Sequence, residues 1–298
     1  MRTRHIVLVG VLFSLSTFPS LAGAQGPPIQ TDTPIMLGLE GRGVRTFLKV
    51  LRKDTLLQDD TEITDPMDRS ATIFVYPIVV PYNLTPKFQV GAVVPFLTKN
   101  LKSNREDKSR SGIGDATVFV KHLVLQSDRK QETFRVAVKG TAKLSTGDTH
   151  GDLTLGSGSV DYGASAVAGW VKGRWGLYGE TIYVLNTSDG DIDYGNRFGY
   201  NAALGFRLFP AVYIRYPQPI LNLYLELNGS LVDHTKIDEA PNPNSGASTL
   251  LLSPGIQYVG GRRWLVEASL QVPLIDEPNG TQLGTGWNAS LGTRILIF

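Results

Sequence analysis

The chain has 298 residues, of which 42% are hydrophobic, and its 29 basic and 27 acidic residues give a formal net charge of +2. This balance argues against nucleic acid as a partner, because nucleic-acid binding usually needs a concentrated basic face. There are 0 cysteines, which excludes disulfides and an acylated lipoprotein cysteine as sources of stability or anchoring.

Residues 1–24 have the pattern of a secretory signal peptide. Arg2 and Arg4 precede an apolar stretch, and Ala22 and Ala24 form a small-residue cleavage site. The apolar stretch is shorter than the roughly 20 residues of a spanning helix, so a cleaved signal is favoured over a retained anchor. We expect cleavage after Ala24 and a mature protein outside the cytoplasm.

Residues 25–42 form a predicted periplasmic segment rich in Pro and Gly, with an apolar patch at 35–39. Two interpretations stay open, a linker and a short plug that folds into the rest of the protein. The linker is favoured, because the segment is short for an ordered plug and chain termini are commonly loose.

From residue 43 onward, apolar and polar residues alternate. The stretch 221–228 is the clearest case, with four leucines on one face and mostly polar residues on the other: Leu221, Leu223, Leu225 and Leu227 against Asn222, Tyr224, Glu226 and Asn228. Successive side chains of a strand point to opposite faces, so such stretches have one apolar and one polar face.

The pattern predicts about twelve strands, with boundaries uncertain by roughly 2–4 residues. They fall near 43–57, 69–81, 87–98, 112–125, 133–145, 159–172, 175–186, 197–209, 219–232, 247–260, 264–275 and 286–298. Long polar links, the last of them at 276–286, alternate with mostly tight ones. This alternation is typical of an outer-membrane barrel, with large outer loops and short periplasmic turns.

The sequence therefore predicts an all-β fold, a single antiparallel up-and-down transmembrane β-barrel of about twelve strands over residues 43–298, in the outer membrane of a bacterium. A soluble β-sandwich is the alternative, since short alternating strands also fit it. Lipid offers the backbone no hydrogen-bond partner, so the last strand must pair with the first.

Aromatic residues near the predicted strand ends form two belts. Those expected at the periplasmic rim are Tyr82, Trp175, Tyr258 and Trp264, and those nearer the outer rim are Phe96, Tyr183 and Trp287. In the last strand Trp287, Leu291, Ile295 and Ile297 are expected to face lipid. Phe298 falls on the opposite face, so either it departs from the ladder or a bulge changes the register.

Three stretches carry a resemblance to a known family: "SGIGDATVFVKHLVLQ" (111–126), "KLSTGD" (143–148) and "LGSGSVDYGASAVAGW" (155–170). Together they resemble the outer-membrane proteins named for the meta-pathway of phenol degradation. The matching motif residues are Gly112, Gly114, Asp115, Lys121, Gly147, Asp148, Gly156, Gly158 and Asp161. Ser145 replaces the usual Pro of this pattern, and His122 stands where an aromatic residue is common.

The resemblance implies a barrel through which hydrophobic or aromatic compounds pass. It also implies that Phe298 is a signal to the barrel-assembly machinery. It supplies no catalytic residues.

Side chains expected to line the lumen carry both signs of charge. They are Arg135, Lys139, Lys143, Glu180, Arg207, Asn222, Glu226, Glu267 and Gln271. Mixed signs fit an ion-pair network that fills the lumen as well as they fit a permeation lining. Both readings stay open.

No catalytic residue, metal site or cofactor is predicted. The three histidines downstream of the predicted cleavage site are far apart in sequence, and no nucleophile signature of the G-x-S-x-G type is present. Asp189, Asp191 and Asp193 have the spacing of a calcium loop, but Tyr194 and Tyr200 stand where that loop needs Gly and Glu. An acidic outer loop is the favoured interpretation of this stretch, and the Asp148–Asp152 stretch is read as ordinary turn chemistry.

The predicted function is passive uptake of small, hydrophobic or aromatic compounds through an outer-membrane channel. A non-transporting surface barrel that acts through its outer loops is the alternative, and a barrel lipid hydrolase is a third class. The expected partners are outer-membrane lipids and lipopolysaccharide, the barrel-assembly machinery and small-molecule solutes.

Overall fold

A computed structural model describes residues 26–38, 41–214 and 217–297 of the protein. Within these residues the regular secondary structure is entirely β, and none of it is a helix long and apolar enough to cross a membrane. The predicted signal peptide and Phe298 lie outside the described residues.

Twelve antiparallel strands form the wall of a closed barrel. In chain order they are β1 (Arg42–Gln58), β2 (Ser70–Thr85), β3 (Phe88–Lys102), β4 (Lys108–Ile113 and Thr117–Arg129), β5 (Glu132–Lys143), β6 (Asp161–Lys172), β7 (Trp175–Leu185), β8 (Arg197–Phe209), β9 (Ile220–Val232), β10 (Ala247–Val259), β11 (Trp264–Pro278) and β12 (Thr281–Ile297). Each strand pairs with the next along the chain. The predicted fold class and strand number are confirmed.

The barrel closes where β12 pairs with β1, from Arg42 opposite Ile297 to Gln58 opposite Thr281. Both pieces of β4 pair with β3 and form one strand of the wall. Among the described residues, five two-residue strands lie outside the wall: Thr61–Glu62, Ser188–Asp189, Ile192–Asp193, Lys236–Ile237 and Ala240–Pro241. The last four form a small sheet that joins two outer loops.

One predicted connection is wrong. The long link expected at 276–286 is a two-residue turn, because β11 continues to Pro278 and β12 begins at Thr281. Asn279 and Gly280 make the turn, and Gly280 has a φ of 64°. An Asn-Gly pair suits a tight hairpin, since such turns need positive φ.

The two faces of the wall differ sharply in exposure. In β9, Leu225 is 49% exposed, whereas Glu226 is 0% exposed. The belt aromatics all point outward, and so do Trp287, Leu291, Ile295 and Ile297 of β12. From Trp287 to Ile297, β12 therefore keeps one register against β1, with the apolar face outside, and the register shifts lie before Trp287, opposite Lys53.

The interior of the barrel is filled by chain as well as by wall side chains. Ile29 packs with Phe47, Tyr178 and Tyr224, and Met36 packs with Leu123 in a second cluster. Residues 26–38, called here the N-terminal segment, thus lie within the barrel. A loose linker would not be buried in this way. These contacts therefore differ from those expected of the linker that the sequence favoured for residues 25–42.

Candidate functional site: the barrel lumen

Glu226 on β9 holds the N-terminal segment by its backbone. Its carboxylate accepts hydrogen bonds from the N–H groups of Ile29 (2.8 Å), Gln30 (3.1 Å) and Thr31 (2.7 Å). Such charge-assisted bonds are stronger than neutral ones. Glu226 is one of the residues expected to line the lumen, and in the structure its carboxylate lies there against the backbone of the N-terminal segment.

Asp32 of the N-terminal segment lies between two lysines of the wall. Its carboxylate oxygens contact Lys121 Nζ on β4 (2.7 Å) and Lys139 Nζ on β5 (2.6 Å). Glu180 on β7 accepts a hydrogen bond from the Asp32 N–H (3.0 Å) and lies 3.8 Å from Lys139 Nζ. Lys139 and Glu180 are predicted lumen residues, whereas Lys121 was noted only as a motif residue.

Glu267 on β11 is shared by two arginines. Arg45 on β1 reaches it at 3.1 Å and Arg294 on β12 at 2.9 Å. Each arginine also donates to the N-terminal segment, Arg45 to the carbonyl of Ile29 (2.6 Å) and Arg294 to that of Pro28 (2.7 Å). Glu267 therefore orients two guanidinium groups that donate hydrogen bonds to backbone carbonyls of the N-terminal segment.

Amide side chains connect these charged groups on β9, β10 and β11. Gln257 donates to Glu267 (2.9 Å) and to the Pro27 carbonyl (2.9 Å), and it accepts from Asn222 (3.0 Å). Gln271 donates to Asn228 (3.1 Å) and thereby extends the network upward. Asn222 and Gln271 were predicted from the alternation, while Gln257 was missed although it lies opposite Asn222 in the sheet.

Three predicted lumen residues stay outside this network: Arg135, Arg207 and Lys143, the last of which binds Asp115 and Asp161. Arg135 pairs with Asp128 (3.0 Å) on the neighbouring strand, near the periplasmic turn. Arg207 is fully buried, and its three guanidinium nitrogens have no hydrogen-bond partner among the described residues. Its nearest aromatic neighbour is the Tyr213 ring, 6.0 Å from the guanidinium carbon.

Apart from Lys121, the family-motif residues gather at the outer end of β4, β5 and β6 rather than at the centre of the lumen. Asp115 accepts hydrogen bonds from the N–H groups of Gly147 (2.9 Å) and Ser157 (2.8 Å). Lys143 bridges Asp115 (3.6 Å) and Asp161. This set, called here the Asp115 cluster, ties the loop 144–160 to the wall.

Glycines of the motif leave room for the Asp115 cluster. A Cβ on Gly156 would lie 2.6 Å from an Asp115 carboxylate oxygen and 2.8 Å from the Gly147 Cα. Gly158 has a φ of 79°, a conformation that other residues rarely adopt. A Cβ on Gly112 or Gly114 would crowd a leucine side chain of the loop or the wall. The motif glycines are therefore explained by packing.

The remaining motif residue, Asp148, lies in the exposed part of the loop. The His150 N–H donates to it (3.0 Å), and this bond, together with the His150 ring, lowers the pKa of the Asp148 carboxyl below its usual range. Arg110 of β4 contacts the same carboxylate.

Histidines and acidic residues of the outer loops do not converge. His122 lies on the outer face beside Phe88, His150 contacts Asp148, and His234 contacts the Asn242 carbonyl. Across the described ranges, no group of three or more His, Asp or Glu side chains is placed to hold a metal ion. The Asp189–Asp193 stretch instead contributes to the small outer sheet.

A cavity of about 680 Å³ lies between the N-terminal segment and the wall. Ile35, Met36 and Leu37 of the segment face it from one side. The wall contributes apolar residues of β2, β3 and β4 and charged residues that include Lys121 and Lys139. The cavity reaches the periplasmic rim at Trp264 and Leu296. Its size is in the range of pockets that bind small organic molecules.

Comparison with known proteins gives one family and one fold. The sequence profile of a family described as "Putative MetA-pathway of phenol degradation" matches residues 67–291. No curated protein matches the chain.

Among solved structures, the COG4313 outer membrane channel from Pseudomonas putida F1 is similar, with a TM-score of 0.67 and 15% identity over 91% of this chain and 100% of that one. At this identity the likeness shows the fold alone.

Two further structures are less similar. The β domain of the Bordetella autotransporter BrkA has a TM-score of 0.48 and 10% identity, covering 85% of this chain and 98% of that one. The CymD monoaromatic hydrocarbon channel has a TM-score of 0.37 and 11% identity, covering 88% of each chain. Neither score carries weight for function.

Proposed function

The chain belongs to the family named for the MetA pathway of phenol degradation, and from this membership and the geometry of the lumen we propose that it is an outer-membrane channel for passive uptake of small hydrophobic or aromatic compounds. The observation that carries the proposal is the cavity of about 680 Å³ inside a closed barrel whose outer face is apolar. A predominantly apolar outer face favours lipid, and a lumen with mixed apolar and polar walls favours passage of small organic solutes.

Several parts of this proposal concern the route to the membrane. A signal peptide at 1–24 would direct export, and Phe298 would be the signal for the barrel-assembly machinery. The exposed aliphatic and aromatic residues of the wall support contact with outer-membrane lipids, and the loops beyond the outer rim would meet lipopolysaccharide. These partners are part of the proposal.

In the same proposal the N-terminal segment is a plug. It makes hydrogen bonds to Glu226, Asp32 contacts two lysines, and two arginines donate to its carbonyls. These contacts occupy the centre of the lumen, so a solute that crosses the barrel must displace part of the segment. Most of the bonds are single polar contacts, which can exchange with water more readily than a packed apolar core can open.

The test compares the mature full-length protein with a variant that lacks residues 26–38. Both are reconstituted in planar bilayers, and ion conductance is recorded. The deletion should raise conductance clearly above that of the full chain, because it removes the polar filling of the lumen. A deletion of the same kind in an outer loop, residues 236–241, is the matched control and should leave conductance unchanged.

Uptake of a hydrophobic solute is measured separately. Cells of a Gram-negative host without its general porins should accumulate a labelled aromatic hydrocarbon faster when they produce the protein, since lipopolysaccharide slows the entry of such compounds. If neither conductance nor uptake exceeds that of empty controls, the channel proposal fails and the non-transporting surface barrel becomes the better interpretation. Heat-modifiable migration on gels verifies that each variant is folded.

A further inference from the structure

The cavity beside the N-terminal segment carries an excess of positive charge. Its described lining includes six cationic side chains and two carboxylates, those of Asp32 and Glu180. Glu267 lies directly behind Arg45 and Arg294 and offsets part of this charge. Arg262 and Arg263 are exposed at the rim, whereas Lys121 and Lys139 lie inside the barrel, where each cation costs desolvation energy unless an anion compensates it.

Lys121 and Lys139 make the most specific part of this lining. They lie directly opposite each other on β4 and β5, and both point into the lumen. Like charges directly opposite on paired strands destabilise a sheet unless an anion lies between them. Here the anion is Asp32, whose two oxygens each contact one of the lysines. Within the described wall, Glu180 is the acid paired with Lys139, at 3.8 Å.

Asp32 therefore occupies a carboxylate site that belongs to the wall. The carboxylate is brought there by a segment of chain far away in sequence, and the segment is held elsewhere by Glu226, Arg45 and Arg294. Any other carboxylate that reaches the two ammonium groups can make the same two contacts. Such a ligand competes directly with the segment.

The surface beside the two lysines is apolar. Phe119 lies two residues before Lys121 on the same face of β4, and its ring covers the backbone of Gly91 on β3. Val79 and Val93 continue this surface along β2 and β3. A carboxylate held by the lysines would thus carry its remaining atoms over an apolar wall, in a cavity of about 680 Å³.

We propose that the lumen recognises amphipathic monocarboxylates, small organic acids with an aromatic or aliphatic body. The ligand carboxylate replaces that of Asp32 between Lys121 and Lys139, and the ligand body lies against Phe119 and Val93. The inference rests on the proposed channel function and narrows its substrate class from hydrophobic compounds in general to hydrophobic acids. Because the ligand takes the place of Asp32, binding also loosens the N-terminal segment.

The test measures binding to the purified full-length protein in detergent micelles, by isothermal titration, with phenylacetate and its neutral counterpart phenylacetamide. Phenylacetate should bind and phenylacetamide should bind at least about tenfold more weakly. Asp32→Asn, which removes the internal competitor, should tighten phenylacetate binding about fivefold or more, a typical size for a competing coupling. Lys139→Gln should weaken it by a similar factor, and Lys139→Arg should restore most of it.

Lys172→Gln is the matched control. Lys172 ends β6 on the outer face, where its Nζ lies 3.7 Å from a carboxylate oxygen of Glu132. Its loss should therefore leave phenylacetate binding unchanged. Heat-modifiable migration verifies folding of each variant. Equal binding of acid and amide, binding that is indifferent to Lys139→Gln, or no phenylacetate binding even to the Asp32→Asn protein would each overturn the proposal.

The outcomes separate this inference from the channel proposal. Lysine-dependent binding of phenylacetate with neither conductance nor uptake would support the acid site and refute the channel. Uptake of a neutral aromatic hydrocarbon without any preference for phenylacetate over phenylacetamide would support the channel and refute the acid site.

Discussion

Two polar clusters, both built on the strands β4 and β5, pair lysine with aspartate but hold different parts of the chain. At the outer end, Lys143 and Asp115 bind the loop 144–160, which joins the two strands β5 and β6. Midway down the lumen, Lys121 and Lys139 bind Asp32, which comes from a segment outside the strand meander.

The difference lies in what each cluster can release. The Asp115 cluster is formed within neighbouring elements, and its glycines leave no room for other side chains. Breaking it removes contacts that nothing else can replace. The lysine pair holds a carboxylate that a ligand or water can replace. We therefore expect the first cluster to govern stability and the second to govern passage through the barrel.

The largest effect on stability is expected for Asp115→Ala. The change leaves the N–H groups of Gly147 and Ser157 without an acceptor and removes a partner of Lys143. It should lower the free energy of unfolding by about 3 kcal/mol, measured by urea unfolding from lipid vesicles. A loss below about 1 kcal/mol would show that the cluster is not a structural anchor.

Gly156→Ala should have the next largest effect. Its Cβ would lie 2.6 Å from Asp115 and 2.8 Å from the backbone of Gly147, so the loop must shift. Overpacking of this kind costs about 1–3 kcal/mol, measured in the same unfolding assay. Gly190→Ala is the control for a loop glycine with open space around it, although its φ of 57° adds some strain. A loss in Gly156→Ala no larger than the loss in Gly190→Ala would contradict crowding at Gly156.

Asp32→Asn should lower stability less than the two preceding variants but should change the lumen. The barrel wall keeps its strand pairing, and the introduced amide oxygen can still accept a hydrogen bond from one of the two lysines, so the loss should be about 1 kcal/mol. Limited proteolysis should cut the N-terminal segment faster than in the unmodified protein, because one of its anchors is gone. Unchanged proteolysis would mean that Glu226, Arg45 and Arg294 hold the segment without help from Asp32.

Asp148→Asn should have the smallest effect. The carboxyl is exposed, and its pKa is lowered by donation from His150. A lowered pKa contributes stability that is present above the unfolded pKa and is lost as the pH falls through the folded one. The unmodified protein should therefore be slightly more stable than the variant at neutral pH, and the two unfolding curves should coincide once the pH falls below the lowered pKa. A large difference at neutral pH would extend the Asp115 cluster into the exposed loop.

The alternation of the sequence predicted the barrel and the orientation of its side chains, because a period of two is a local property of each strand. It placed Asn222 and Glu226 inward and the leucines outward. It could not identify the partner of Glu226, since residues 29–31 have no periodic pattern and lie 195 or more positions away.

Some signals were present in the sequence but were weighed differently. Asn279-Gly280 is a strong hairpin signal that was absorbed into a longer polar link. Lys121 lies directly opposite Lys139 in the β4–β5 hairpin, so both side chains face the lumen. It was nevertheless assigned only to a family motif. Partner choice inside a barrel depends on register across several strands, which no single stretch contains.

If the N-terminal segment must move for a solute to pass, a reversible crosslink between the segment and the wall should block passage. The protein has 0 cysteines, so a designed pair is free of competing thiols. A Cβ placed on Gly169 would lie 3.0 Å from the Cγ and Cδ atoms of Pro34, so Pro34→Cys combined with Gly169→Cys is the pair to introduce, and non-reducing gels verify that the disulfide forms. The two single variants are the controls.

Uptake of a labelled aromatic solute is measured for the double variant before and after reduction. Oxidation should abolish uptake by the double variant, and a reducing agent should restore it. The single variants should respond to neither treatment. Uptake that continues unchanged through the fully oxidised double variant would contradict the claim, because solutes would then pass a barrel whose N-terminal segment cannot leave its place.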